Sequence, residues 1–568
     1  MRSRAAVAVA VGVALAACAL LTFAPAHDPD LWWHLATGRA AWAGRTTLPV
    51  DIFSFSFAGA PWRYKDLVAD VMLWGLFAHG GFWALLALRL GCAAAMALGW
   101  RLVSNEALPL VVATGLAVLL VPWADRPNLL SLALFPTVLA LLERRRFGWL
   151  VLVSWLWIVL HRAALLGYVL IAARALDLAI ARLCARRPRL SIVMGEPPPG
   201  RLVAIACVAA CAAPLVGLVN PAGRAAFSSA VDVAGSEVLR MYIAEWKRLG
   251  LAALLNRNGL LALATAIAIV ARLVVAVRSG RRARVTAWHL GLVGLFAFLA
   301  TRSVRWLPYL DLSCALALVL LLDGVRLRAA TALAAVTALT LAFVGRHGAP
   351  FALGEDASLQ PVGAVGFARA HGLDGPLVHS YEFGGYLLYR GVRVLVDGRL
   401  DQVYPPAFVA DCIRAERNPA LRARLPVGDA TWAIGSNNEA RWTHRDLFRD
   451  PAWAEVYWSD AASVYVKRAA HPELAGFAYA VIDPAAPELA AANAVRSGDR
   501  ARINGAGNEL RRMLAESPTS VRANRALAIW FHLLGRPVER DTVMRALPPE
   551  EARELQRRFT SSGTATAN

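Results

Sequence analysis

The fold is decided first by residues 5–35, AAVAVAVGVALAACALLTFAPAHDPDLWWHL. An apolar stretch of about 20 residues is long enough to cross the hydrocarbon core of a bilayer as one helix. Two aspartates around a proline follow directly, and then a pair of tryptophans, whose side chains favour the membrane interface. The segment therefore predicts a first membrane span followed by an acidic motif at the membrane surface.

The composition extends this interpretation to the whole chain. Of the 568 residues, 58% are hydrophobic and 18% are charged, whereas a soluble domain has roughly 45–50% apolar and about 25% charged residues. The excess of apolar side chains indicates an α-helical polytopic membrane protein in contact with the lipid bilayer. Lys and Arg accumulate in cytoplasmic loops, which accounts for the formal net charge of +20, so we predict no nucleic-acid partner.

Apolar segments of span length, or slightly shorter, recur through a predicted transmembrane domain at 1–348. A further apolar stretch, 67–79, contains Asp70 and stops at Gly80-Gly81, so we predict an interfacial helix there. We predict about eleven spans, at 5–24, 81–103, 107–122, 127–142, 148–161, 163–181, 201–219, 250–277, 286–301, 305–322 and 328–345.

Arginine-rich turns, such as the run at 144–146, give the orientation. They fall on one side of the predicted spans, which is the cytoplasmic side. The N-terminus is then inside, and the 27–80 loop, the 220–249 loop and the region after about residue 346 are outside. We predict a multi-pass protein of the bacterial inner membrane with a periplasmic C-terminus. The N-terminus also imitates a signal peptide with a cleavage site at 24–26, and this alternative stays open.

The region after the last predicted span divides into three parts. Residues 476–560 carry Ala, Arg, Glu and Leu at helical spacing and predict tetratricopeptide-like helix pairs, too few to stand alone. We expect these helices to pack on the preceding domain and offer a surface for a protein partner, and we predict a disordered tail at 561–568. Residues 349–475 predict a periplasmic α/β domain, with strand-like runs at Pro376–Ser380, Arg393–Val396, Thr431–Ile434 and Ala462–Val466.

Asp28 and Asp30 are the candidate catalytic residues. Pro29 makes the chain extended between them. A carboxylate facing a membrane-embedded cavity can take a proton from an acceptor hydroxyl or amine, or hold a divalent metal such as Mg²⁺ or Mn²⁺ beside a phosphate. The alternative interpretation is an aromatic belt with solvated acids.

Polar side chains at the outside ends of spans are candidate ligands for an anionic group. An arginine there either extends to the interface or binds an anion. A lipid phosphate suits a guanidinium because it accepts two parallel hydrogen bonds. The predicted substrate-binding residues are His34, Arg126, His161, Arg162, Glu245, Arg302 and Arg305.

Two further polar motifs are interpreted mainly as turns. Asp51 and Ser54 are expected to form a plain turn in the first outside loop. Asp397, Arg399 and Asp401 are expected to form a turn stabilised by charge pairs, with a contact to the acceptor or the catalytic cavity as the alternative.

The chain resembles the C-type glycosyltransferase superfamily (GT-C), which includes oligosaccharyltransferases and protein mannosyltransferases. More closely, it resembles a group of bacterial membrane proteins of this type, from about residue 20 to 470. The resemblance is carried by DPDLWWHLATGR (28–39), DIFSFSFAGAPW (51–62), RPNLLSL (126–132), GGYLLYRG (384–391) and VLVDGRLDQVYPP (394–406).

The resemblance implies transfer of a sugar from a polyprenyl-phosphate donor to a glycan, lipid or protein acceptor outside the cytoplasm. Asp28 or Asp30 would then be the base or metal ligand. Two other classes of function stay open, namely a lipid-linked glycan transporter and a non-catalytic assembly protein of the cell envelope. A transporter is expected to carry ionisable residues near mid-membrane, whereas here they lie mainly at span ends, which favours the enzyme.

Overall fold

The computed structural model describes residues 2–44, 49–62, 66–219, 224, 227–228, 237–251, 255–325, 328–345, 351–438, 444–483 and 485–564. Much of the predicted 220–249 loop lies outside the described residues. The chain forms two compact units. Unit 1 comprises Met1–Pro49 and Pro61–Gly354, and unit 2 comprises Val50–Ala60 and Glu355–Asn568. The middle of the predicted first loop therefore belongs to unit 2, which the division of the sequence near residue 348 did not anticipate.

Unit 1 is built from α-helices. In chain order they are α1 (Arg2–Thr22), α2 (Pro29–Trp42), α3 (Leu67–Arg101), α4 (Ala107–Leu120), α5 (Pro127–Glu143), α6 (Phe147–Leu160), α7 (Ala164–Leu183), α8 (Pro188–Met194), α9 (Gly200–Val219), α10 (Glu237–Tyr242), α11 (Arg257–Ser279), α12 (Ala287–Arg302), α13 (Leu307–Leu322) and α14 (Arg328–Gly345).

The helices of unit 1 are those of a membrane protein. Within the described residues, six are long and apolar enough to cross a bilayer, and five more apolar helices have 10–17 residues. Each overlaps one of the predicted spans, while the crossing of all eleven stays a prediction. Helix α11 begins at Arg257 rather than at residue 250, because the Asn256 side chain caps it by accepting the Gly259 N–H at 2.9 Å.

Helix α3 is kinked where the sequence predicted a break. Gly81 has φ 54° and ψ −141°, a conformation that glycine adopts far more readily than other residues. Before the kink, α3 packs closely on α2. A Cβ added to Gly38 would lie 2.1 Å from the carbonyl oxygen of Asp70. Residues 67–80 thus form a separate arm of α3 that supports α2.

Three aromatic rings fix the helices around the centre of unit 1. Phe135 of α5 meets Phe296 of α12 edge-to-face at 5.6 Å and Tyr309 of α13 at 5.0 Å between ring centroids. All three side chains are buried in one apolar cluster. Such pairs favour particular orientations, so this contact sets the relative positions of helices whose ends carry polar side chains.

Unit 2 contains a four-stranded sheet in the order β1-β2-β4-β3. Strand β1 (Leu377–His379) is parallel to β2 (Trp432–Ser436), while β4 (Ala462–Lys467) is antiparallel to both β2 and β3 (Trp453–Trp458). The helices are α15 (Val362–Ala370), α16 (Gly384–Tyr389), α17 (Pro406–Ala415), α18 (Pro419–Arg422), α19 (Asp446–Arg449), α20 (Pro472–Ala475), α21 (Pro487–Arg496), α22 (Arg500–Glu516), α23 (Val521–Leu533), α24 (Pro537–Met544) and α25 (Pro549–Thr564).

The sheet differs from the prediction in two strands. The run Arg393–Val396 lies outside it, because Val394 pairs with the inserted segment. The Phe55 N–H donates to the Val394 carbonyl at 3.0 Å, and the Val394 N–H donates to the Phe53 carbonyl at 3.2 Å. Strand β3 was not predicted, since Glu455 interrupts its apolar pattern, although every side chain of β3 is buried.

The C-terminal helices pack on the sheet, as expected. Trp458 at the end of β3 shares an apolar cluster with Leu510 of α22 and Trp530 of α23. Helix α25 continues to Thr564, four residues into the tail that the sequence predicts from residue 561. Within this helix the Thr560 hydroxyl donates to the Gln556 carbonyl at 3.2 Å. Residues 565–568 lie outside the described residues.

A buried arginine joins the inserted segment to the rest of unit 2. The fully buried Arg399 donates to Asp51 Oδ1 at 2.6 Å, to Asp397 Oδ2 at 2.7 Å and to Tyr404 Oη at 3.0 Å. Burial alone would raise the pKa of Asp397, but Arg399 holds it below its ordinary value. The predicted charge-paired turn is confirmed for Asp397 and Arg399. Asp51 accepts the Ser54 N–H at 3.2 Å in the predicted turn, but it also pairs with the distant Arg399.

We expect Arg399→Met to destabilise unit 2 by about 3–5 kcal/mol, because it leaves two buried carboxylates without a counter-charge. The measurement is the urea concentration at which residues 355–560 of the full-length protein become susceptible to a brief protease pulse. Arg414→Met is the matched control, since Arg414 is exposed and its ion pair is with Asp411 in its own helix. Equal midpoints for the two variants would contradict the role of Arg399.

Candidate active site

The acidic motif is shaped by the start of helix α2. Asp28 is the N-cap, and its Oδ1 accepts the Asp30 N–H at 3.0 Å. Pro29 occupies the first turn, where its missing N–H costs no hydrogen bond. Asp30 Oδ1 accepts the indole N–H of Trp33 at 3.2 Å. Both carboxylates are therefore fixed at the N-terminus of one helix.

Arg126 is the centre of the site. It lies in extended conformation directly before α5, whose first residue is Pro127. Its Nη1 is 2.7 Å from Asp30 Oδ2, its Nε is 3.4 Å from Asp28 Oδ2, and its Nη2 donates to Glu245 Oε1. Burial disfavours the charged guanidinium, but the three carboxylates raise the pKa of Arg126 above its ordinary value.

Glu245 lies between two cations. Besides Arg126, Arg305 Nη1 is 3.5 Å from Glu245 Oε2 and lies over the Trp246 ring at 5.1 Å. The Ser303 hydroxyl donates to the Glu245 carbonyl at 2.7 Å and fixes the turn. Although burial disfavours the carboxylate, Arg126 and Arg305 hold the pKa of Glu245 below its ordinary value. Arg162 also lies close enough to stabilise the Glu245 charge.

Burial raises the pKa of the Asp30 carboxyl above its ordinary value, and Arg126 offsets this only in part, while Asp28 and Glu245 add to it. The Asp30 side chain keeps a third of its surface exposed, whereas Asp28 keeps 11%. Asp30 is thus the more accessible carboxylate, and Asp28 mainly orients the helix start and Arg126.

His34 and Asp70 form a buried pair one turn further along α2. His34 Nδ1 is 2.5 Å from Asp70 Oδ1, and the Thr37 hydroxyl donates to Asp70 Oδ2 at 2.6 Å. Burial disfavours the imidazolium, but Asp70 raises the pKa of His34. In the sequence, Asp70 serves only as a reason against a span at 67–79, although an acid inside an apolar stretch is itself a signal for a functional or buried partner.

Two predicted ligands, His161 and Arg302, make contacts with other side chains. His161 is buried, and its Nδ1 is 2.8 Å from Ser131 Oγ, which also accepts the Trp157 indole N–H at 2.7 Å. Arg302 is exposed and stacks on Phe298 at 5.1 Å. No ion pair links Arg302 to the carboxylates in the described part of the chain.

The carboxylates do not form a metal site. Among the described residues, no group of three or more His, Cys, Asp or Glu side chains is arranged to hold a metal ion. Asp28, Asp30 and Glu245 instead converge on the guanidinium of Arg126, which a divalent cation would have to displace.

The comparisons with known proteins give no family for the chain. No family model matches the sequence, and no curated protein matches it.

We expect the Arg126 and Glu245 side chains to be strongly coupled. Arg126→Met should lower the midpoint of thermal unfolding in detergent, because it leaves the carboxylates without their shared cation. Adding Glu245→Gln should recover part of the loss, with a coupling energy of about 0.5–3 kcal/mol. The control pair, Arg302→Met with Glu245→Gln, should be additive. Additivity in the Arg126 cycle would show that the contact does not contribute to stability.

Proposed function

We propose that the chain is a membrane glycosyltransferase that moves a sugar from a polyprenyl-phosphate donor to an acceptor on the outer side of the bacterial inner membrane. The supporting observation is the convergence of a partly exposed carboxylate, Asp30, with the guanidinium groups of Arg126 and Arg305. The acceptor must lose a proton and the donor must lose a phosphate. A carboxylate and neighbouring arginines supply the groups that these two events need.

Asp30 is the base in this proposal. As the acceptor oxygen or nitrogen bonds to the anomeric carbon, its proton passes to Asp30. A raised carboxyl pKa makes Asp30 a better base once ionised. The rate of transfer should therefore fall as the pH is lowered through that raised pKa, because the protonated carboxyl accepts no further proton.

Arg126, Arg305 and Arg162 receive the leaving phosphate. The bond between the anomeric carbon and the phosphate oxygen breaks, and its electron pair stays on the phosphate, whose charge increases. Guanidinium groups placed where charge develops stabilise the transition state. The Glu245 carboxylate already bridges Arg126 and Arg305, so the donor phosphate would take over these contacts from Glu245.

The second candidate is a non-catalytic assembly protein of the envelope. It is favoured by one observation, that each carboxylate around Arg126 already contacts a cation. In that case the ion pairs serve only to fix the helices. The two candidate functions predict different effects on sugar transfer when the negative charge of Asp30 is removed.

We expect Asp30→Asn to lower transfer by roughly 10²–10⁴-fold, the usual contribution of a general base. Asp28→Asn should have a smaller effect, because Asn caps a helix about as well as Asp. The assay uses membranes containing the full-length protein and a panel of synthetic polyprenyl-phosphate hexoses and pentoses. Asp429→Asn, at an exposed turn, is the control. Wild-type activity in Asp30→Asn would favour the assembly protein.

We further propose eleven crossings with the N-terminus in the cytoplasm. Alkaline phosphatase fused after residue 147 should be inactive, because arginines at 144–146 keep that turn inside. The same reporter fused after residue 350 should be active in the periplasm. An inactive fusion at the second site would overturn this topology without bearing on the chemistry of Asp30.

A further inference from the structure

A second polar site lies at the other end of helices α5 and α12. Helix α5 has 17 residues, so Glu143 at its end is roughly 25 Å from Arg126 at its start. Here a cavity of about 370 Å³ opens between the ends of α5, α7 and α8 and the start of α12. Its lining residues include Glu143, Arg145, Arg174, Arg282, Arg284 and His289.

The floor of the cavity holds buried charges. His289 is 2% exposed, and its Nε2 is 3.3 Å from Glu143 Oε2. Arg174 is 6% exposed, donates to Asp177 Oδ2 at 2.6 Å and lies over the Trp288 ring at 4.9 Å. This network fixes the side chains of the floor in place before any ligand arrives.

Two atoms of the floor have no hydrogen-bond partner among the described residues, Glu143 Oε1 and Arg174 Nε, although Arg174 Nη2 forms a longer ion pair with Glu143 Oε1 at 3.8 Å. Glu143 Oε1 can only accept a hydrogen bond while ionised, and Arg174 Nε can only donate one. Buried polar atoms are normally paired. A ligand group that both donates and accepts, such as a hydroxyl, satisfies both atoms.

The rim of the cavity carries three arginines beside Glu196. Arg145 has φ 55°, a left-handed conformation that is uncommon for any residue other than glycine, and its Nη2 donates to the Glu196 carbonyl at 3.3 Å. Arg282 and Arg284 are exposed, and Arg284 also pairs with Asp323. Guanidinium groups bind phosphate oxygens with paired hydrogen bonds, so the rim suits a phosphate.

We propose that this cavity binds a phosphate that carries a polyol, as in the headgroup of phosphatidylglycerol, with the phosphate at the arginine rim and the hydroxyls on the floor. The cavity lies at the ends of apolar helices, where lipid headgroups are found. Choline has no donor for Glu143, and an ethanolamine ammonium has no acceptor for Arg174. The proposal uses none of the residues around Arg126 and stands independently of the glycosyltransferase function.

The test uses the full-length protein in a neutral detergent with short-chain lipids as probes, and binding is measured by native mass spectrometry. Phosphatidylglycerol should bind at least about tenfold more tightly than phosphatidylcholine or phosphatidylethanolamine. It should also bind more tightly than phosphatidic acid, which has the phosphate but no polyol. Arg282→Gln should weaken phosphatidylglycerol binding about tenfold, because it removes a charge-assisted hydrogen bond.

Arg281→Gln is the matched control, because Arg281 is the adjacent exposed arginine and does not line the cavity. Equal weakening by the two variants, or equal binding of phosphatidylglycerol and phosphatidylcholine, would overturn the proposal. Equal binding of phosphatidylglycerol and phosphatidic acid would overturn the role of the floor. Competition by free glycerol 3-phosphate, lost in Arg282→Gln, would identify a soluble ligand of the same chemistry, and its failure to compete would identify the lipid.

Discussion

The arrangement of unit 1 around its candidate site depends on the charge of one arginine. A guanidinium that loses most of its water needs nearby carboxylates, because an unpaired buried charge is strongly destabilising. Arg126 obtains them from the start of α2 and from the turn at Glu245. To neutralise this one cation, the start of α2 and the turn at Glu245 must therefore both meet the start of α5, where Arg126 lies.

Unit 2 also contains a buried arginine paired with carboxylates, but its ion cluster is fully enclosed. Arg399 pairs with Asp397, two residues away, and with Asp51, 348 residues away, and all three side chains are fully enclosed. Around Arg126, in contrast, Asp30 and Glu245 each keep a third of their side-chain surface exposed. Enclosed ions resist exchange of partners, whereas partly exposed ones can exchange a carboxylate for an incoming anion at lower cost. This difference separates a structural ion cluster from a candidate site.

The sequence predicts the helices well because their signal is local. A run of apolar residues is sufficient to predict a membrane helix, and even the kink at Gly81 follows from a glycine pair. The three-way contact of Arg126 could be anticipated only as a set of polar residues at span ends, since no local pattern says which of them meet. Strand β3 and the insertion of residues 50–60 into unit 2 were missed, because a buried Glu455 and a pairing between Val394 and Phe53 depend on distant parts of the chain.

The position of Glu245 gives the strongest reason to regard the Arg126 site as a binding site rather than as an ion cluster that only stabilises the fold. A purely structural ion cluster needs only enough carboxylates to neutralise Arg126, and Asp28 and Asp30 already supply two. The third carboxylate, Glu245, pairs with Arg126 as well, and Arg305 and the nearby Arg162 also balance its negative charge. Loss of Glu245 from its place would leave Arg126 paired and Arg305 and Arg162 without their shared anion. An entering phosphate restores that balance of charge. The additional carboxylate and the two arginines therefore fit a site that binds and releases an anion.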